Sequence, residues 1–260
     1  MNEHTKTIVY PLALLCALIL LWYVAVNRWG VPNYILPSLG EVLDCLKKGY
    51  IDGAFWGDFR FTLTSTLLGY VFGCLLAFVV GILFAEFRSV ERLLYPFVLG
   101  LQSMPKVALA PLILIWFGFG LESKVVMVGL VCFFPMFVNT ALGLKATDPS
   151  LIDLMKAFSA SRWHILTRIK IPSAAGHIFA GLQISVVLSL IGAVVAEFVS
   201  STEGLGYLIN AATTTLDTST MYAALLSLAA LGIGASQLIK LLHRKLVFWD
   251  RAGSGRSLAE

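Results

Sequence analysis

The chain has 260 residues, of which 58% are hydrophobic and only 13% charged, with 19 Lys and Arg against 15 Asp and Glu for a net charge of +4. Soluble domains carry roughly a quarter charged residues, and a chain of this length could not bury so much apolar surface in water. Part of its solvent must therefore be lipid. No basic tract of the kind that binds nucleic acid is present.

A spanning helix needs about 20 mostly apolar residues. Six blocks meet this, near 8–26, 62–85, 93–118, 124–144, 178–199 and 221–242. The first is too long for a signal-peptide core, and Asn27-Arg28-Trp29 after it is no cleavage site. It reads as a retained span. The segment 27–61 contains Pro37-Ser38-Leu39-Gly40-Glu41, an N-cap signature leading into an amphipathic stretch from Val42 to Lys48. Charged or glycine-rich breaks at 86–92, 118–124 and 200–220 punctuate the remaining blocks.

Basic residues set the orientation. Lys6, Arg88, Arg92, Lys145, Lys156, Arg162, Arg168, Lys170, Lys240, Arg244, Lys245, Arg251 and Arg256 fall on one side of the six-span arrangement. The other side keeps Arg28, Lys47, Lys48, Arg60 and Lys124. Both termini are thus expected in the cytoplasm. Cys16, Cys45, Cys74 and Cys132 form no CxxC pair and read as inert small residues.

The cytoplasmic loop 145–177 reads KATDPSLIDLMKAFSASRWHILTRIKIPSAAGH. Asp148-Pro149 starts a helix, and Leu151, Leu154, Met155 and Phe158 recur at helical spacing. Ser159-Ala160-Ser161 breaks it, Ser161 caps a second helix carrying Ile165, Leu166 and Ile169 on one face, and Pro172 is expected to end that helix. Two short helices with basic residues imitate a DNA-binding unit, but spans entering at both ends pin this one to the bilayer. A connector within a bundle needs only about 2–8 residues, so a loop of this length points to a docking surface.

The spacing Asp153, Ser159 six positions later, then Ile169 and Ile171-Pro172 resembles the EAA loop of ABC import permeases. Ala160-Ser161-Arg162-Trp163 resembles the nitrate/sulfonate/taurine branch, as do the run from Leu101 to Leu112, Trp116 to Gly120, Ile178 to Phe198 and Gly204 to Ile209. Ser159 stands where that family has glycine, Leu154-Met155 where it has two alanines, and Gly176 where a second proline is common. The resemblance implies an all-α membrane protein of the type I importer kind, a single permease domain over 1–260 with its core at 58–245, in the bacterial inner membrane. It implies as partners a second copy of the chain, two cytoplasmic ATPases that hold ATP and Mg, a periplasmic substrate-binding protein and lipid, with no nucleic acid. It further implies that Asp153, Ala157, Phe158, Ser159, Ala160, Ser161, Arg162 and Pro172 contact the ATPase.

Lys106 lies between Pro105 and Pro111 inside an apolar block. A charge in a span is costly and usually faces a bundle interior or water. It reads either as part of a kinked helix lining a translocation path with Gln102 and Ser103, where it would suit a sulfonate-like anion, or as one half of an ion pair with Glu197; Asn139 and Gln183 read as lining the same path or as hydrogen-bonding between helices. No P-loop, HExxH or GxSxG motif and no metal-ligand spacing occurs in the sequence, so the chain is expected to be a transporter subunit that binds no cofactor and is no enzyme. Similar permeases carry sulfonates, taurine, nitrate, aromatic acids and thiamine-precursor pyrimidines. A secondary transporter, the rival class, would show inverted repeats and ion-binding carboxylates within spans.

Overall fold

The computed structural model describes residues 3–248, and among these every regular element is a helix. Helix α1 covers Glu3–Asn27 and α2 Leu39–Tyr50; α3 covers Trp56–Glu86, α4 Arg88–Ser103 and α5 Ala110–Phe117. Helix α6 covers Leu121–Lys145, α7 Pro149–Ala157, α8 Arg162–Ile165, α9 Ile171–Ser173, α10 Ala175–Ser200, α11 Leu205–Thr215 and α12 Thr218–Leu246. The calls at Lys6, Arg251 and Arg256 lie outside the residues whose side chains are described.

Among the described residues four helices, α3, α6, α10 and α12, are long and apolar enough to cross a membrane. The expected span 93–118 is not one helix. α4 and the segment Lys106–Phe117 meet at a 90° bend. Pro105 has no N–H to continue the ladder and forces Met104 into an extended conformation, ψ 136°. Counted as one broken span, this pair is a fifth crossing. The expected six is reached only if α1, whose apolar part is Ala13–Asn27, also crosses.

The core lies where α3, α6 and α10 pack together. Helices in lipid gain little from hydrophobicity against one another, so contact depends on small residues and close approach. Gly73 of α3 meets Gly129 of α6 so tightly that a Cβ on Gly73 would stand 2.6 Å from the Gly129 carbonyl oxygen. Cys74, Ala77, Val128, Cys132, Met136, Phe137, Ala141 and Ala193 fill the space along this crossing. Hydrogen bonds add to it: Tyr70 Oη donates to Leu182 O (3.1 Å) and Ser185 Oγ to Cys132 O (3.0 Å). At the other flank α2 is held by a capping box between Ser38 and Glu41 and packs Val42 against Phe55 and Ala223.

Gly73→Ala is expected to destabilise the purified protein by about 1–3 kcal/mol through overpacking, seen as a lower midpoint of thermal unfolding. Gly100→Ala, with open space around its Cβ, should leave the midpoint unchanged or raise it.

Candidate functional site

Asp148 caps α7 by accepting from the Ser150 N–H (2.9 Å) and hydroxyl (2.8 Å), which also holds its carboxyl below the ordinary range. Pro149 occupies the first helical position. The helix closes with the Ser159 N–H on Lys156 O (2.8 Å) and the Ala160 N–H on Met155 O (3.0 Å), a paired arrangement that places Ser159 in the left-handed region at φ 55°. This is the backbone state that glycine adopts freely and serine does not. Ser161 then turns extended and its hydroxyl accepts from the His164 N–H (3.2 Å), starting α8.

The two helices differ in what they bury. α8 inserts Ile165 and Leu166 into the bundle, where Leu166 meets Leu144 and Ala174. α7 buries nothing. Leu151 and Leu154 are exposed, and at the turn Phe158 is 75% and Trp163 70% exposed. Ala157, Ser159, Ser161 and Arg162 are exposed beside them, and Ala160 is half-buried. Asp153 is exposed and pairs with Lys156 at 2.9 Å. The loop thus stands on one helix and presents an apolar tip.

Pro172 does not end the second helix, contrary to the sequence expectation. The chain stays helical through Leu166–Lys170, which widens into a π turn with the Ile171 N–H on Leu166 O, and continues through α9 into α10 with one turn at Ala174. A proline ring collides with the carbonyl four residues back; the wider turn gives it room. Two ion pairs hold this base. Lys170 Nζ lies 2.5 Å from Glu86 Oε1, both largely buried, and Lys145 Nζ lies 2.6 Å from Glu91 Oε1.

The break at Pro105 opens a second feature. Gln102, Lys106, Phe134, Asn139 and Ile184 are among the residues around an open groove of about 460 Å³. Lys106 Nζ sits 4.6 Å from the centre of the Phe134 ring, a cation–π distance. The Asn139 amide donates to Pro135 O (2.8 Å). Ser103 sits next to Gln102 on α4 and does not line the groove. Gln183 faces away and bonds Ser236 of α12.

Glu197 is also elsewhere, and the ion pair with Lys106 does not form. Thr62 Oγ1 donates to Glu197 Oε1 (2.8 Å), and the Gly206 N–H donates to its Oε2 (2.7 Å). Thr62 Oγ1 accepts in turn from the Leu205 N–H (2.8 Å), and Asp58 accepts from the Gly204 N–H (2.8 Å). A Cβ on Gly206 would stand 2.8 Å from Glu197 Oε2, so glycine is required there. Fully buried Lys124 donates to Phe119 O (2.6 Å), and its charge acts on Glu197 and Glu122. Sequence reasoning missed this clasp. Its sequence signals were Glu197 itself, a carboxylate at the end of an apolar block, and the glycine pair flanking Leu205.

The family described as binding-protein-dependent transport system inner membrane component matches residues 69–248. The riboflavin transport system permease protein RibX of Chloroflexus aurantiacus is 35% identical over 236 residues, 91% of this chain and 88% of that one. The putative aliphatic sulfonates transport permease protein SsuC of Bacillus subtilis is 29% identical over 245 residues, 94% of this chain and 88% of that one. Among solved structures, an inward-facing MetNI methionine ABC transporter gives a TM-score of 0.63 at 18% identity, covering 73% of this chain and 93% of that chain, a likeness of fold.

Ser159→Gly is expected to relieve about 1 kcal/mol of backbone strain, raising hydrogen-exchange protection of the Ala160 amide roughly fivefold. Thr62→Val keeps the shape but strands the Leu205 N–H and one Glu197 oxygen. It should cost about 1–3 kcal/mol, read as a drop in the unfolding midpoint.

Proposed function

Because this chain belongs to the binding-protein-dependent transport system inner membrane components, the multi-pass permease subunits of ABC importers, we propose that its 145–177 loop couples the translocation path to a separate ATPase. A second copy of the chain completes the path, a periplasmic binding protein delivers cargo, and the paired ATPases supply ATP and Mg. Six crossings with both termini cytoplasmic fit this assembly, with α1 and the broken α4–α5 pair supplying the two beyond the four long helices.

The observation that carries the reading is the apolar tip. An exposed Phe158 and Trp163 on a turn whose base is anchored by buried Ile165 and Leu166 form a knob that nothing covers among the described residues. Closure of the ATPases would push the turn from Ala157 to Arg162, with Asp153 on the preceding helix and Pro172 at the base. Cargo passes along the groove of Gln102, Lys106 and Asn139, with Ser103 beside it on the broken helix. Lys106 favours a small anion such as an alkanesulfonate, taurine or nitrate. A flat aromatic acid or pyrimidine is the second reading, favoured by the Phe134 ring under the lysine and by the likeness to a riboflavin permease. Gln183 and Glu197 act in this reading as ties between helices.

The test is co-purification with the ATPase, followed by transport and hydrolysis in vesicles. Phe158→Ala with Trp163→Ala should weaken ATPase association by about 2 kcal/mol, roughly 30-fold. A bulky residue at Ser159 should leave ATP hydrolysis running while transport falls. Transport by the chain alone under an ion gradient, with no ATPase, overturns the reading.

A further inference from the structure

Helix α4 begins at the same end of the bundle as the loop, since its Glu91 is ion-paired at 2.6 Å with Lys145, where the loop starts. Its two faces differ. Leu94 and Val98 pack inward against the core. Arg88, Arg92 and Tyr95 recur one turn apart on the outward face and, with Glu91, line an open cavity of about 520 Å³.

The charges there do not cancel. Glu91 is engaged by Lys145 and the neighbouring Glu86 by Lys170, which leaves Arg88 and Arg92 with no ion-pair partner among the described residues. Both residues are exposed, and their Cα positions are about 6 Å apart along the axis. No side chain caps the start of α4, so its free N–H groups add positive potential beside them. Beside and beyond Arg92 along the helix, Leu93 and Phe97 are exposed and apolar, with Tyr95 between those two in the sequence. Cationic at the helix start, with a phenol and apolar side chains farther along, is a profile that an interfacial lipid fits, and a guanidinium fork matches a phosphate with two parallel hydrogen bonds.

We propose that Arg88, Arg92 and Tyr95 form a binding site for the headgroup of an anionic phospholipid, whose acyl chains lie along Leu93 and Phe97. The site places this end of α4 at the cytoplasmic leaflet, in keeping with the basic character of that side. It does not depend on the ATPase.

The test is native mass spectrometry of the full-length chain supplied with phosphatidylglycerol or phosphatidylcholine. The unmodified chain should retain phosphatidylglycerol preferentially. Arg88→Gln with Arg92→Gln should weaken that retention about 30-fold, as expected for two surface cations. Arg88→Lys with Arg92→Lys, which keeps charge without the fork, should fall between. Equal retention of both lipids by the unmodified chain overturns the proposal, as does undiminished phosphatidylglycerol in the Gln variant. Loss of ATPase association in the Gln variant with lipid retention intact would make the patch a protein contact instead.

Discussion

Hydrocarbon offers no hydrogen bonds, so a polar group carried into the bundle has to find its partner on another helix or on its own backbone. The clasp around Glu197 meets this demand most fully. One carboxylate takes a hydroxyl from α3 and an N–H from α11, and the same hydroxyl takes the next N–H along. Neither Thr62 nor Glu197 would be tolerable without the other. The result is that α3, α10 and α11 are joined at the end of the bundle away from the loop by groups that can satisfy each other only in one arrangement.

The loop end is held differently. Ion pairs from Lys145 and Lys170 tie the loop's base to the start of α4 and the end of α3, and buried Ile165 and Leu166 supply the apolar part. Between these two fixed ends the helix ladder is interrupted at Pro105, and there Lys106 and Gln102 face open space with Asn139 across it. Polar groups that tie helices together and polar groups that face the open groove are thus separated in space.

Much of this was legible in the sequence. Local rules govern helix starts, and Asp148, Ser161 and the Ser38–Glu41 box act as caps where their side-chain chemistry placed them. Ser159 stands where the resembled family has glycine, and the structure gives the reason, a φ of 55°. Apolar content makes 93–118 read as one span, since it registers depth in lipid and not the ladder; Pro105 and Pro111 point to a kink within it, and the structure makes that kink a 90° bend. The clasp was hidden for another reason: Thr62 and Glu197 are 135 positions apart, and nothing local marks either as the other's partner. For Gln183 the sequence offers a path role or a hydrogen bond between helices, and the bond is the one that forms, to Ser236 of α12.

The π turn at Leu166–Lys170 sets an angular phase. One surplus residue in a helix rotates everything beyond it by about 100° relative to an uninterrupted helix. Pro172 keeps that surplus from migrating into α10, because a regular turn there would drive the ring into a carbonyl. A twist of the segment that carries Trp163 therefore has a nearly continuous helical route to the α10 face that carries Ser185, with the turn at Ala174 as the break along it.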